Sequence, residues 1–245
     1  MSNLLKMEKY QLTHNMFYWC GMAGVFLTGL LTADTYVPEV MGPSGKAASS
    51  LTDIFNGMIY DSTFLLIVIS SILALILGQE FSSRTVSLEV SAGHSRKVIF
   101  ISKTVVYLMA FNIMALVYPA AGCIREFARF GFTEAGTFFY NVIKGTIYSF
   151  WLNSAVFLIA IFICCCLRSA VKAVAVTAVA TFVLSLYLGY GMMLKLPVYC
   201  LVTFQIREVV STAGFIQLPA LLTGAVWISL LIFLSWACFR RCDLK

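Results

Sequence analysis

The segment TFLLIVISSILALILGQEFSSRTVSLEVSAGHSRKVIFISK (residues 63–103) joins an uninterrupted apolar run to a polar insert. The chain has 28 charged residues, of which 17 are basic and 11 are acidic. No charged residue lies between residues 63 and 78, whereas six charged residues lie between residues 78 and 103. A helix needs about 20 mostly apolar residues to cross a bilayer. The segment therefore predicts a membrane-spanning helix that ends in a polar connection, and the rest of the chain repeats the apolar part of this pattern.

The composition of the whole chain is typical of a membrane protein. Hydrophobic residues make up 60% of the 245 residues and charged residues only 11%, with a mean hydropathy of +0.90, whereas soluble domains have about 25% charged residues. We predict an all-α protein that forms a single membrane domain over residues 1–245. Six transmembrane helices are expected at residues 16–33, 63–79, 104–124, 146–167, 173–194 and 218–239. Residues 16–33 lack the cleavage pattern of a secretory signal and are interpreted as a span.

The charges in the loops predict the orientation of these spans. Eleven Lys and Arg residues flank one side of the membrane and six flank the other, and the more basic side faces the cytoplasm. Both termini and the polar insert are therefore expected in the cytoplasm of a multi-pass plasma-membrane protein. Residues 2–15 are expected to form a helix in the membrane interface, in contact with lipids. The net charge of +6 follows from this topology, and no basic stripe with interleaved aromatics indicates a nucleic-acid partner.

The cysteines and histidines do not indicate a metal or cofactor site. The chain contains no C-x-x-C pair, and its two histidines, His14 and His94, are far apart. Of the eight cysteines, only Cys123 and Cys200 fall near the predicted outer face, where a disulfide is an open alternative. Cys164–Cys166 lie at the inner end of the fourth predicted span, where acylation of these thiols is an open alternative. We expect this chain to bind neither a cofactor nor a structural metal.

Few polar residues lie inside the predicted spans, which argues against intramembrane catalysis. No pair of aspartates, zinc-binding histidine motif or nucleophile–base pair is recognisable. Asn112 and Asn153 are the deepest polar residues, and the fifth span adds hydroxyl, tyrosine and methionine side chains. Such groups are typical of helix–helix packing, and they would also suit an adaptable, apolar cargo. The possible substrate path comprises Asn112, Asn153, Thr181, Ser185, Tyr187, Tyr190 and Met192.

Within the polar insert, apolar and small residues recur at helical spacing from Phe81 to Ala92. This periodicity predicts an amphipathic helix of about 12 residues on the cytoplasmic face, and Ser95 is well placed as the N-cap of the third span. A connection that only anchored the topology would need few residues, as residues 168–172 show. The longer helix therefore indicates a surface on which another protein packs. Its basic flanks are Arg84, Arg96 and Lys97.

The insert resembles the cytoplasmic segment between the second and third spans of ABC-2 type transporter permeases. It reads E-F-x-x-x-T-x-x-x-x-x-x-x-G-x-S-R-x-x-I-F-I-S-K from Glu80 to Lys103. The leader L-L-K-M-E-K-Y-Q-L (residues 4–12), followed by an aromatic-rich first span, is similar to the family's N-terminal interface helix. Chain length, six spans and inside termini also agree with the family. One departure is Arg84, where family members usually have glycine. The matching residues are Glu80, Phe81, Thr85, Gly93, Ser95, Arg96, Ile99, Phe100, Ile101, Ser102 and Lys103.

The resemblance implies the membrane-spanning subunit of a small bacterial ABC exporter. Two copies, or this chain and a paralogue, would pair in the membrane, and each would dock a separate cytoplasmic ATPase through a coupling helix. ATP and Mg would bind to that ATPase, so the chain alone would not be an enzyme. The residues expected at the ATPase contact are Glu80, Phe81, Arg84, Thr85, Leu88, Arg96, Lys97, Arg168 and Lys172.

The expected cargo is an amphipathic peptide, such as a toxin or an antimicrobial. A drug or an ion is the alternative cargo within the same family. The residues alone also leave open a stand-alone immunity or scaffold protein, or an intramembrane enzyme, that acts without an ATPase partner.

Overall fold

The computed structural model describes residues 2–37, 47–83, 85–132, 135–212 and 214–241, and the regular structure in these ranges is entirely helical. A short 3-10 turn, Asp34–Tyr36, extends the second helix. The α-helices are α1 (Ser2–Thr13), α2 (Met16–Ala33), α3 (Leu51–Tyr60), α4 (Thr63–Ser82), α5 (Thr85–Ser91), α6 (Arg96–Phe130), α7 (Ala135–Leu167), α8 (Ala170–Met193), α9 (Val202–Ser211) and α10 (Leu218–Arg240).

Six of these helices are long and apolar enough to cross a membrane: α2, α4, α6, α7, α8 and α10. Their number and order agree with the predicted multi-pass, all-helical architecture. The longest, α6, has 35 residues, which corresponds to about 52 Å at 1.5 Å per residue. It is therefore much longer than a bilayer core of about 30 Å requires.

The helices α6 and α7 form the centre of the bundle. Phe111 of α6 and Phe157 of α7 stack with ring centroids 4.7 Å apart, and both side chains are fully buried. Around this pair, α2 packs on α6, α10 packs on α7, and α4 packs on α8. The outward faces of α2, α8 and α10 are mostly exposed and apolar, as expected for surfaces that contact lipid.

Both central helices extend beyond the apolar segments that mark the predicted spans. The side chain of Ser95 caps α6 as predicted, since it accepts a hydrogen bond from the backbone N–H of Val98 at 3.4 Å. The helix ends before Gly131, whose φ of 57° is accessible to glycine without steric cost. Residues 125–145, which connect the third and fourth predicted spans, consist mainly of the end of α6 and the start of α7.

The two ends of the bundle carry different short helices. α1 and α5 lie at one end, with the start of α6 and the end of α10, where Arg96 Nη1 donates a hydrogen bond to the carbonyl of Arg240 at 2.9 Å. We call this the α5 end. α3 and α9 contact each other at the opposite end, where Ser50 and Asp53 form a capping box at the start of α3.

The helix of the polar insert is shorter than the predicted 12 residues. Phe81 and Ser82 belong to α4, whose hydrogen-bond ladder continues to Ser83, and α5 contains only the seven residues Thr85–Ser91. The Ser83 N–H donates to the carbonyl of Gln79 at 2.8 Å, and its hydroxyl pairs with that of Thr85 at 2.9 Å. These side-chain and backbone bonds close α4 just before α5 begins, because serine and threonine hydroxyls favour helix ends.

Candidate functional site

Four charged side chains form a buried cluster at the α5 end. The ammonium group of Lys103 donates hydrogen bonds to Glu8 Oε1 at 2.7 Å and to Glu80 Oε2 at 2.6 Å. Glu89 Oε1 lies 3.0 Å from the same nitrogen, and the Tyr107 hydroxyl donates to Glu80 Oε1 at 2.6 Å. None of the four charged side chains is more than 13% exposed. We call Glu8, Glu80, Glu89 and Lys103 the ion cluster.

Each member of the ion cluster comes from a different helix. Glu8 belongs to α1, Glu80 to α4, Glu89 to α5 and Lys103 to α6. The cluster therefore connects the first helix and the short helix of the insert to two of the membrane-spanning helices. A buried ion pair is expensive to break by removing one partner, because the other charge is left without compensation. These four helices are thus joined at one point.

Local helix geometry explains why these side chains point inward. Glu8 lies between Leu4 and Leu12 on α1, and all three are buried, because residues four apart share one face of a helix. Lys103 and Tyr107 are also four apart on α6 and likewise buried. On these two helices, each polar member sits within a row of inward-facing positions.

The ion cluster contains three carboxylates but one ammonium group. Among the described residues, Glu8 Oε2 and both oxygens of Glu89 have no hydrogen-bond partner, so Glu89 is held by charge attraction rather than by a directed hydrogen bond. Burial raises the pKa of Glu8 from 4.5 to about 7, although the nearby Lys103 opposes the shift. Glu8 therefore takes up a proton near neutral pH. Arg84, which the sequence places between Glu80 and Glu89, lies outside the described residues.

The outer side of α5 carries one exposed apolar side chain. Leu88 is 68% exposed, whereas Val86 and Glu89 on the opposite side are buried. Thr85 is half-buried, and Lys97 at the start of α6 is exposed. Arg96, which is half-buried, contacts the end of α10 as described above. Leu88 and Lys97 are thus both exposed at this end of the bundle.

Two of the predicted ATPase-contact residues face the interior instead. Glu80 belongs to the ion cluster, and the ring of Phe81 contacts that of Phe239 with centroids 6.2 Å apart. Lys103, which directly precedes the predicted third span, is buried within α6. The reason is that α4 and α6 both extend past their apolar segments, so these residues stay inside the bundle.

The second predicted contact, residues 168–172, lies beside the end of α4. A Cβ on Gly78 would come within 2.8 Å of the Ala170 Cα, and the Ala170 N–H donates to the Ser82 hydroxyl at 3.2 Å. Arg168 and Lys172 are exposed next to this contact. The two segments predicted to meet a partner therefore both pack on the end of α4.

The predicted substrate-path residues do not converge on one site. Asn112 donates a hydrogen bond to the hydroxyl of Ser154 at 2.9 Å and so links α6 to α7, the packing role that is typical of such groups. Asn153 is buried and Thr181 bonds the Thr177 carbonyl within its own helix at 2.7 Å. The remaining residues lie on the half of α8 away from the α5 end, where Ser185 is half-buried and the others are exposed: Tyr187, Tyr190 and Met192.

A small apolar cavity lies between α4, α7 and α8 and is closed by the segment that leads into α9. Its volume is about 30 Å³, and its lining includes Thr63, Ala155, Thr181, Val202 and Trp227. A single water molecule occupies about 30 Å³ in the liquid. The cavity is therefore far too small for a peptide or a drug in this state of the protein.

Neither a metal site nor a disulfide is found elsewhere among the described residues. Among them, no group of three or more His, Cys, Asp or Glu side chains has an arrangement that could hold a metal ion. Cys123 and Cys200, for which a disulfide was left open, are both free thiols. The ion cluster thus remains the main polar feature of the interior.

Sequence reasoning did not find Glu8, Glu89 or Tyr107 as members of a site. A signal was present for Glu8, because it interrupts the apolar row Leu4–Leu12 at the spacing of a buried helix face. Glu89 lies three residues after Val86, a spacing that also indicates a shared helix face, although less strongly. Neither spacing identifies Lys103 as the common partner.

No family model matches this chain, and no curated protein has significant sequence similarity to it.

Proposed function

We propose that this chain is the membrane-spanning permease subunit of an ATP-driven exporter of the ABC-2 type. In this proposal the α5 end and both termini face the cytoplasm, as the loop charges indicate, and α1 lies in the interface of the plasma membrane. Cytoplasmic ATPase subunits bind ATP and Mg, and this chain contributes no catalytic residue. The observation that supports the proposal best is α5, which presents Leu88 outward and is held inward by Glu89 in the ion cluster.

The ATPase would dock on the outer side of α5 and on the neighbouring connection between α7 and α8. Exposed Leu88 would supply an apolar contact, and the basic residues Lys97, Arg168 and Lys172 are exposed at the same end of the bundle. Interfaces between proteins commonly combine an apolar core with a polar rim. Arg84 completes the proposed contact set from outside the described residues.

The ion cluster provides a route by which movement of α5 would reach the membrane. Glu89 and Lys103 join α5 to α6, and Glu80 joins the same lysine to α4. Closure of an ATPase pair is a rigid-body motion. A displacement of α5 would therefore be passed to two spans together rather than absorbed in a loop, because separating the buried charges costs several kcal/mol.

The cargo would pass along a surface between two permease subunits rather than through one of them. The apolar cavity of about 30 Å³ between α4, α7 and α8 is too small for such a cargo, whereas Tyr187, Tyr190 and Met192 are exposed on α8. A second copy or a paralogue would face this side. Methionine and tyrosine adapt to varied apolar shapes, so we propose an amphipathic peptide as the cargo, with a drug or an ion as the alternative.

The proposal is tested by purifying the tagged chain from its native cells and identifying the proteins that copurify with it. We expect an ABC ATPase with the wild type and a loss of about tenfold or more in its recovery with Leu88→Asp, because central apolar contacts dominate most interfaces. Leu196→Asp is the matched control, since Leu196 is also exposed but lies at the opposite end.

Equal recovery of the ATPase with both variants would refute α5 as the docking surface. Failure of the wild type to retain any ABC ATPase would favour the stand-alone membrane protein instead. Stimulation of ATP hydrolysis in the reconstituted complex by peptides, drugs or ions then separates the possible cargoes.

A further inference from the structure

Two cysteines from distant parts of the sequence meet at the α5 end. Cys166 Sγ lies 3.3 Å from Cys238 Sγ, and the two residues are 72 positions apart. Cys166 is the penultimate residue of α7, and Cys238 lies two residues before the end of α10. Their proximity follows from the packing of α10 along α7, which places the ends of both helices side by side.

The two sulfur atoms lie within reach of each other. A disulfide bond is about 2.05 Å long, so the two sulfur atoms need to approach by roughly a further 1.2 Å. Rotation about the side-chain torsions and small movements of the two helix ends supply such a shift, since both residues lie in the last turn of their helices. The neighbouring Cys164 is directed elsewhere, with its sulfur 3.6 Å from the carbonyl of Ala74.

Both sulfur atoms are accessible to a small oxidant. Cys166 is exposed and Cys238 is half-buried, whereas Cys164 and Cys165 are buried. Thiols that are exposed and that lie next to a second thiol are the ones that form reversible disulfides on oxidation. The pair therefore combines access with a second thiol in place.

We propose that Cys166 and Cys238 are a redox-sensitive pair that a hydroperoxide converts into a reversible disulfide, which links the end of α7 to the end of α10. In the first step one sulfur attacks a peroxide oxygen, the O–O bond breaks, and hydrogen peroxide gives a sulfenic acid and one water. In the second step the other thiol attacks the sulfenic sulfur and loses its proton, so the S–S bond forms and a second water leaves. A thiol reductant restores both cysteines.

This disulfide would hold α10 against the centre of the bundle. The last residues of α10 also accept the hydrogen bond from Arg96 at the start of α6, so the link would restrain the region next to α5. The inference concerns the thiols alone and does not require the proposed transport function. Whether or not an ATPase copurifies, the disulfide is detected directly.

The test uses the full chain in native membrane vesicles treated with hydrogen peroxide. After the remaining thiols are blocked, peptide mass spectrometry should show a linked pair of peptides that carries Cys166 and Cys238, with the loss of two hydrogens. Cys166→Ser and Cys238→Ser should each abolish this species, whereas Cys20→Ser, at an exposed cysteine of α2, should leave it unchanged. Dithiothreitol should remove it.

A further variant separates the proposed pair from a competing one. Cys242 lies four positions after Cys238 and outside the described residues, so Cys242→Ser should retain the Cys166–Cys238 species in full. Loss of the link in Cys242→Ser, a link only between two chains, or modification of Cys166 to a sulfinic acid without any link would each overturn the proposal.

Discussion

Replacing Lys103 by methionine removes the one ammonium group of the ion cluster and should destabilise the protein strongly. Methionine keeps the length and the apolar stem of the side chain but leaves Glu8, Glu80 and Glu89 without their common partner. Breaking a buried ion pair in this way costs roughly 3–5 kcal/mol. In a chain of 245 residues, each kcal/mol lowers the melting temperature by about 2–4 °C, so we expect a decrease of about 6–20 °C.

The assay is thermal unfolding of the purified protein in detergent at pH 8 and at pH 5. The loss should be larger at pH 8, because Glu8, whose pKa burial raises to about 7, takes up a proton in acid and then needs no cation. Lys103→Arg, which keeps the charge, should lose much less. Combining Lys103→Met with Glu80→Gln should recover part of the stability, since removal of both partners leaves fewer uncompensated charges.

The reasoning is refuted if Lys103→Met melts within a degree or two of the wild type at pH 8. That result would mean that the carboxylates reach solvent and that the four helices are not joined through this lysine. An equal loss at both pH values would show instead that the effect comes from packing, not from charge.

Two further predictions concern stability and use the same assay. Burial raises the pKa of Glu8 from 4.5 to about 7, so between pH 4.5 and pH 7 the folded protein holds a proton that the unfolded chain has released. The free energy of unfolding should therefore fall by up to about 3 kcal/mol as the pH rises through this window. Glu8→Gln should flatten this decline. Gly29→Ala should cost about 1–3 kcal/mol, since its Cβ would lie 2.6 Å from the Tyr118 carbonyl oxygen. Gly24→Ala on the same helix meets no atom within 4 Å and should gain up to about 1 kcal/mol; equal shifts in both variants would contradict the packing argument.

The membrane-spanning helices could be predicted from sequence because their signal is local. Runs such as Thr63–Gly78 contain no charge, and within a bilayer only a helix satisfies their backbone groups. The helix at Ser2–Thr13 could be predicted, at residues 2–15, for the same reason, since a 3.6-residue period is a property of neighbouring positions. The exact length of α5 was not visible, because the boundary between α4 and α5 depends on bonds made by Ser83.

Chain order and hydropathy by themselves determined an all-helical architecture with six spans and the position of the polar insert. Only the tertiary structure decided which charges of that insert are exposed and which face the interior. Glu8 and Lys103 are 95 positions apart, and Cys166 and Cys238 are 72 apart; no local period encodes these pairs. They meet because the packing of α1 on α6 and of α10 on α7 brings their helix faces together, and a buried charge is stable only where such packing supplies its counter-charge.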